Sequence, residues 1–172
     1  MFLDEYSTTG IAGITLALPT ANAGSVNRTV GSGIATSDGM LTRSADGKWL
    51  VVAGYDASPG ALSVASTPNN KVVTRVDGSG GMSSTVVFDA SAFPGNNFRS
   101  VTTTDGSEYW LSGAGNGAVY VPHQGNTTPV AGTEVSNTIT DNRGILVYNS
   151  VLYQSTAIGP VTGIYNVGAG LP

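Results

Sequence analysis

Two arginines stand at matching places along this chain with a third near the equivalent place in an earlier copy, and together they have the chemistry to hold an anion. Arg99 lies six residues before Asp105, and Arg143 lies six before Asn149. Met40 takes the matching place before Asp46, with Arg43 three residues later. A guanidinium presents a planar fork of donors that fits carboxylate or sulfate oxygens two at a time. Arg43, Arg99 and Arg143 gathered at one mouth would suit carboxylates, sulfates or acidic sugars. The competing expectation is that each pairs with an Asp or a backbone carbonyl on a neighbouring element and serves packing alone.

Other chemistry finds fewer parts. His123, the only histidine, sits in "YVPHQGN". Nucleophilic catalysis needs a nucleophile and an orienting acid beside it, so an exposed loop residue after a strand is the expectation. Glu108 and Glu134 are the types a glycosidase pairs a few ångströms apart, but no pattern brings them together. Asp4 and Glu5 are adjacent on a strand and so point to opposite faces. One histidine and no cysteine are too few ligands for a zinc or copper site within one chain. Asp77 stands alone in "VDGSGGMSS", where calcium would need six to eight oxygens, and a tight turn is expected there. "GSGIATSDG" lacks the lysine and the following helix of a phosphate loop. No cofactor is expected.

Composition narrows the setting. Only 10% of the 172 residues are charged, against about a quarter in ordinary soluble domains, so solubility must come from Ser, Thr, Asn and exposed backbone. The net charge of -4 and the scattered seven Lys and Arg leave no basic footprint for nucleic acid. No apolar run approaches the roughly 18 residues of a membrane span. Zero cysteine with abundant Gly, Ser, Thr and Asn suits a secreted bacterial protein. Asp4 and Glu5 stand where a signal peptide has its basic flank, and "FLDEY" directly after Met1 suggests a start inside a longer fold.

The elements that must position these residues are strands. Twenty-four Gly and eight Pro interrupt every apolar stripe of helical period. Runs rich in Val, Ile, Thr, Tyr and Trp recur instead, bounded by turn residues. Asp46-Gly47, Asp105-Gly106 and Asn149-Ser150 each separate a strand from an apolar, aromatic-bearing strand, at spacings of 59 and 44 residues. Asp-Gly between apolar runs predicts a hairpin whose two central residues take positive φ. Periods of about 40 to 50 residues holding four short strands mark β-propeller blades; a β-sandwich is the alternative. Trp49, Trp110, Tyr120 and Tyr153 would then fill the wedges between blades or line a sugar-stacking face.

Through "FLDEYSTTG", "ATSDGMLTRSADGKWLVVAGYDA", "NNFRSVTTTDGSEYW" and "RGILVYNSVLYQSTA" the chain resembles β-propeller segments of secreted, often multidomain bacterial proteins. The resemblance implies a propeller fold and an extracellular setting, and it brings no catalytic residues with it.

The expected layout is an N-terminal hairpin (1–19), a first four-stranded antiparallel blade (39–91), a second (98–132) and an incomplete third (136–172). That makes about three blades, whereas closed propellers have four to eight. A homodimer joined at open blade edges, each hairpin completing the partner's last blade, would close a six-bladed ring. The expected function is a non-enzymatic scaffold or binding module for a protein or glycan. An enzyme acting on polysaccharide at the channel mouth is the alternative. Neither nucleic acid nor membrane is an expected partner.

Overall fold

The Val-, Thr- and aromatic-rich runs form strands, because branched side chains pack well on a pleated surface. The computed structural model describes residues 1–169; residues 170–172 of the expected third blade lie outside them. In chain order the strands are β1 (Phe2–Tyr6), β2 (Ala12–Ala17), β3 (Leu41–Arg43), β4 (Trp49–Tyr55), β5 (Lys71–Asp77), β6 (Met82–Val87), β7 (Phe98–Thr102), β8 (Glu108–Gly113), β9 (Ala118–Pro122), β10 (Thr133–Ser136), β11 (Asn142–Tyr148), β12 (Val151–Thr156) and β13 (Gly163–Ala169). Among the described residues the one helical feature is a 3₁₀ turn, Asp89–Ser91. The chain is all-β.

Every sheet is built from strands consecutive in the chain. β1–β2 form a hairpin, β3–β4–β5–β6 the first sheet, β7–β8–β9–β10 the second and β11–β12–β13 the third. All pairings are antiparallel, and no barrel closes among the described residues. The first strands of the three sheets lie side by side and run in one direction. Met40 N donates to Arg99 O (3.0 Å) and Asp46 N to Thr104 O (2.9 Å), joining β3 to β7. Ser100 Oγ and Thr102 Oγ1 accept from Ile145 N (3.4 Å) and Val147 N (3.3 Å), joining β7 to β11.

Because successive side chains alternate in direction, each sheet feeds two packing layers. Val51, Ala53 and Val73 of the first sheet meet Val101, Tyr109, Leu111 and Val119 of the second in one buried cluster. The opposite face of the second sheet places Trp110 and Ala118 against Ile145 and Leu152 of the third. The first sheet's remaining face is roofed by the polar loop 20–38: Thr29 Oγ1 lies 2.6 Å from Thr74 Oγ1, and Ser84 N donates to Ser25 O (2.8 Å).

Two local expectations are corrected. The Asp46-Gly47 hairpin forms, but Gly47 alone of the pair has positive φ (77°). The turn is longer than two residues, with Ser44 N bonded to Trp49 O across it, and Asp46 is held by bonds from Ser44 Oγ and Lys48 N to its carboxylate. The two-residue turn with both φ positive falls at Asn149 (48°) and Ser150 (60°). The second sheet also ends later than residue 132. "TTPVAG" (127–132) supplies no strand to it, because Val130 spends its backbone on β6, accepting from Phe88 N and donating to Val86 O (both 2.9 Å). The fourth strand is β10, immediately after.

Candidate functional site

The three arginines do not converge. Arg99, one residue into β7, is nearly buried, with 8% of its side chain exposed. Its Nη1 donates to Asp141 Oδ1 and to Asn142 O (2.9 Å), and its Nε donates to Ser37 Oγ (3.1 Å). Arg143, one residue into β11, reaches the other oxygen of the same carboxylate, Asp141 Oδ2, at 3.5 Å. Arg43 ends β3 at the opposite end of the first strands, where its Nε donates to Gly47 O (3.1 Å). Two guanidinium groups thus share one carboxylate, and the third braces its own turn.

The sequence carried a signal for this junction that pairwise spacing of arginines misses. Asp38, Asn97 and Asp141 each stand two residues before Met40, Arg99 and Arg143. Asn97 Nδ2 donates to Asp38 Oδ1 (2.9 Å), linking the first and second units, and Asp141 binds Arg99, linking the second and third. At both junctions the Asp or Asn of one copy contacts a residue of the neighbouring copy.

His123 lies half-buried between sheets, against the expectation of an exposed loop residue. Its Nδ1 is 2.8 Å from Tyr109 Oη and 3.1 Å from Thr85 Oγ1, and its Nε2 is 3.2 Å from Ser83 Oγ. No carboxylate contacts the ring in this set. Burial, aided by the positive charge of Arg75, lowers its pKa to about 4. Burial pushes the Tyr109 hydroxyl well above its ordinary value, so both partners are neutral at pH 7. Ser83 and His123 have the types of a nucleophile and a base, but the group orienting the imidazole is a phenol.

The other end of the same interface holds a second polar cluster. Lys71 is fully buried, its Nζ donating to Asp89 Oδ1 (2.5 Å) and Asn69 O (3.2 Å) beneath the Tyr55 ring. Tyr55 Oη donates to Asp38 Oδ2 (2.7 Å) and accepts from Phe98 N (2.7 Å). Burial lowers the Lys71 pKa and raises that of Asp38, in the latter against the pull of the Tyr55 and Asn97 bonds.

The two glutamates hold turns at different places on the second sheet. Glu108 Oε1 accepts from Thr104 N (3.0 Å), while Glu134 Oε1 accepts from Gly117 N (2.9 Å). Glu108 opens β8 opposite Pro122, whereas Glu134 faces Val119. Asp77 does cap a tight turn, accepting from Ser79 N (2.8 Å) and Gly81 N (2.9 Å). Among the described residues no group of three or more His, Asp or Glu stands together to hold a metal.

What is left open is apolar. A groove of about 480 Å³ runs between the start of β3 (Met40, Leu41) and the outer face of the third sheet (Leu146, Tyr148, Tyr153, Ile164). Ser100 of β7 and the bare backbone of Gly144 also line it. Tyr148 is 61% exposed and Ile164 77%, so the last face of the sheet series carries the side chains of a core with nothing upon them. No α-helix long and apolar enough to cross a membrane is present among the described residues. No protein-family model, curated protein or solved structure matches the chain.

Proposed function

We propose that this chain is a non-enzymatic, extracellular binding or scaffold module, a partial β-propeller that recognises a protein or glycan and associates with itself. The observation that carries this is the uncovered apolar groove between β3 and the third sheet. Consecutive antiparallel sheets, with first strands side by side and pointing one way, are what propeller blades around an axis require. A sandwich would instead bring two sheets face to face and leave no third in series. In a propeller the groove is the sector where the ring is open, and such a face invites association.

The polar clusters support binding over catalysis. Glu108 and Glu134, the two weighed as acid and base, are each already bonded to a turn, and Arg99 has its counter-charge in place. The aromatic and apolar rim of Tyr148, Tyr153 and Leu146 is the surface with free capacity. Solution mass by light scattering on a size-exclusion column tests the proposal. A mass of twice 17.4 kDa supports a self-closing pair, and a stable single-chain mass at high concentration overturns it.

A further inference from the structure

The open sector has two walls, and the chain exposes an apolar element at each end of its sheet series. At one end is the outer face of the third sheet. At the other is the β1–β2 hairpin, whose Leu3 and Leu16 pair with each other and border a cavity with Leu50 and Val76 of the first sheet. By strand alternation Phe2 and Tyr6 occupy the hairpin's other face, and they are 67% and 64% exposed. Asp4, on that same face, is bonded to Thr15 Oγ1 (2.7 Å).

We propose that the occupant of the groove is the hairpin of a second copy of this chain, with Phe2 and Tyr6 of each copy seated on Leu146, Tyr148 and Ile164 of the other. This rests on the self-association proposed above and adds which faces meet. The two surfaces are different, so one contact repeated by a two-fold axis makes two identical seams and closes the pair. The area is sufficient. Each of these five exposed side chains leaves on the order of 100 Å² open, so two seams bury about 1,000 Å² from them alone, the size a specific interface must clear. The receiving face carries no acidic residue to oppose Asp4: its outward side chains include Leu146, Tyr148, Tyr153, Ser155, Ile164 and Asn166.

Two variants test the seams, Phe2→Asp and Ile164→Asp. Both sites point to solvent in the single chain, and each variant is checked for an unchanged far-UV circular dichroism spectrum and melting transition. Wild type is expected at twice the chain mass, and each variant alone at the single-chain mass at the same concentration. An equimolar mixture of the two variants is expected to recover a two-chain peak. In the mixed pair, the intact hairpin of one chain meets the intact third sheet of the other.

Variants that keep the double mass overturn the inference while leaving self-association standing. Variants that dissociate but show no recovery on mixing overturn it too, because the contact is then between like faces. A single-chain wild type overturns self-association itself and assigns the groove to some other occupant.

Discussion

Arg75 lies over the Trp49 ring with its guanidinium carbon 4.1 Å from the ring centroid, while its Nη1 donates to Gly106 O (2.5 Å) on the neighbouring sheet. The stacked cation joins the turn after β7 to the first sheet, and it needs Gly106 bare. Gly106 has a φ of 87°, and a Cβ there would stand 2.7 Å from Trp49 Nε1. Gly106→Ala is expected to lower stability by about 2 kcal/mol, from left-handed backbone strain plus a displaced Trp49. Urea unfolding followed by tryptophan fluorescence measures it, and a change within error shows that the turn can relax without cost.

Asp141 is the counter-charge of a nearly buried Arg99. Removing it with Asp141→Ala is expected to cost about 2–3 kcal/mol, below the 3–5 of a fully sealed pair because Asp141 keeps some solvent. The double variant Arg99→Met with Asp141→Ala is expected to be more stable than Asp141→Ala alone, since the nearly buried charge is gone and only the more exposed Arg143 loses its partner. Equal stabilities of the two in urea would remove the ion pair from the account of how the second and third sheets join.

The His123 ring carries a pH signature. Its folded pKa, about 4, lies below the ordinary 6.5, so the folded state favours the neutral ring. The stability this supplies is complete above about pH 6.5 and is lost as pH falls towards 4. Arg75 faces the ring from β5, Tyr109 faces it from β8 as a neutral hydroxyl, and Ser83 and Thr85 face it from β6. His123→Gln is expected to flatten the melting temperature between pH 6.5 and 4. The turn carboxylates Asp46, Asp77 and Asp105, held below their ordinary values by hydrogen bonds, titrate lower and act equally in both proteins. Parallel pH profiles for the two would exclude the histidine as the source.

Gly117 marks the tightest approach in the second sheet. A Cβ there would come within 1.6 Å of the Ser136 carbonyl oxygen, so Gly117→Ala is expected to detach β10 from β9. Hydrogen exchange would report it as protection lost at β10 while β8, buried throughout, stays protected. Retained protection at β10 would mean the edge strand can shift its register at that point.

The strands were legible because their signals are local: β-branched alternation within a run and glycine between runs decide them without help from distant residues. The order of strands within each sheet followed from short connections. The turn at Asp46 was misjudged because its geometry depends on Ser44 and Trp49 closing a longer loop, whereas Asn149-Ser150 met the strict two-residue form with less typical residues. The placement of β10 failed for a long-range reason, since Val130 is an adequate strand residue whose backbone is captured by β6. The candidate site was legible only as a set of matching positions. Arg99 and Arg143 align in the repeat, but what neutralises Arg99 is an aspartate belonging to the next copy. His123 was invisible as a packed residue because its hydroxyl partners come from two separate sheets.

The bond pair at Val130 also sets an order of events during synthesis. The outer edge of the first sheet, at Val86 and Phe88, is completed by a residue more than forty positions downstream. A nascent chain that has emerged only through the first sheet therefore presents the end of β6, at Val86 and Phe88, as a bare edge, open to pairing with any extended segment nearby. Release of residue 130 seals that edge and at the same time pins the connection that leads into β10. Cutting the gene between the first two sheets would thus yield a sticky fragment, and pelleting of residues 1–97 under conditions that keep 1–137 soluble would reveal it.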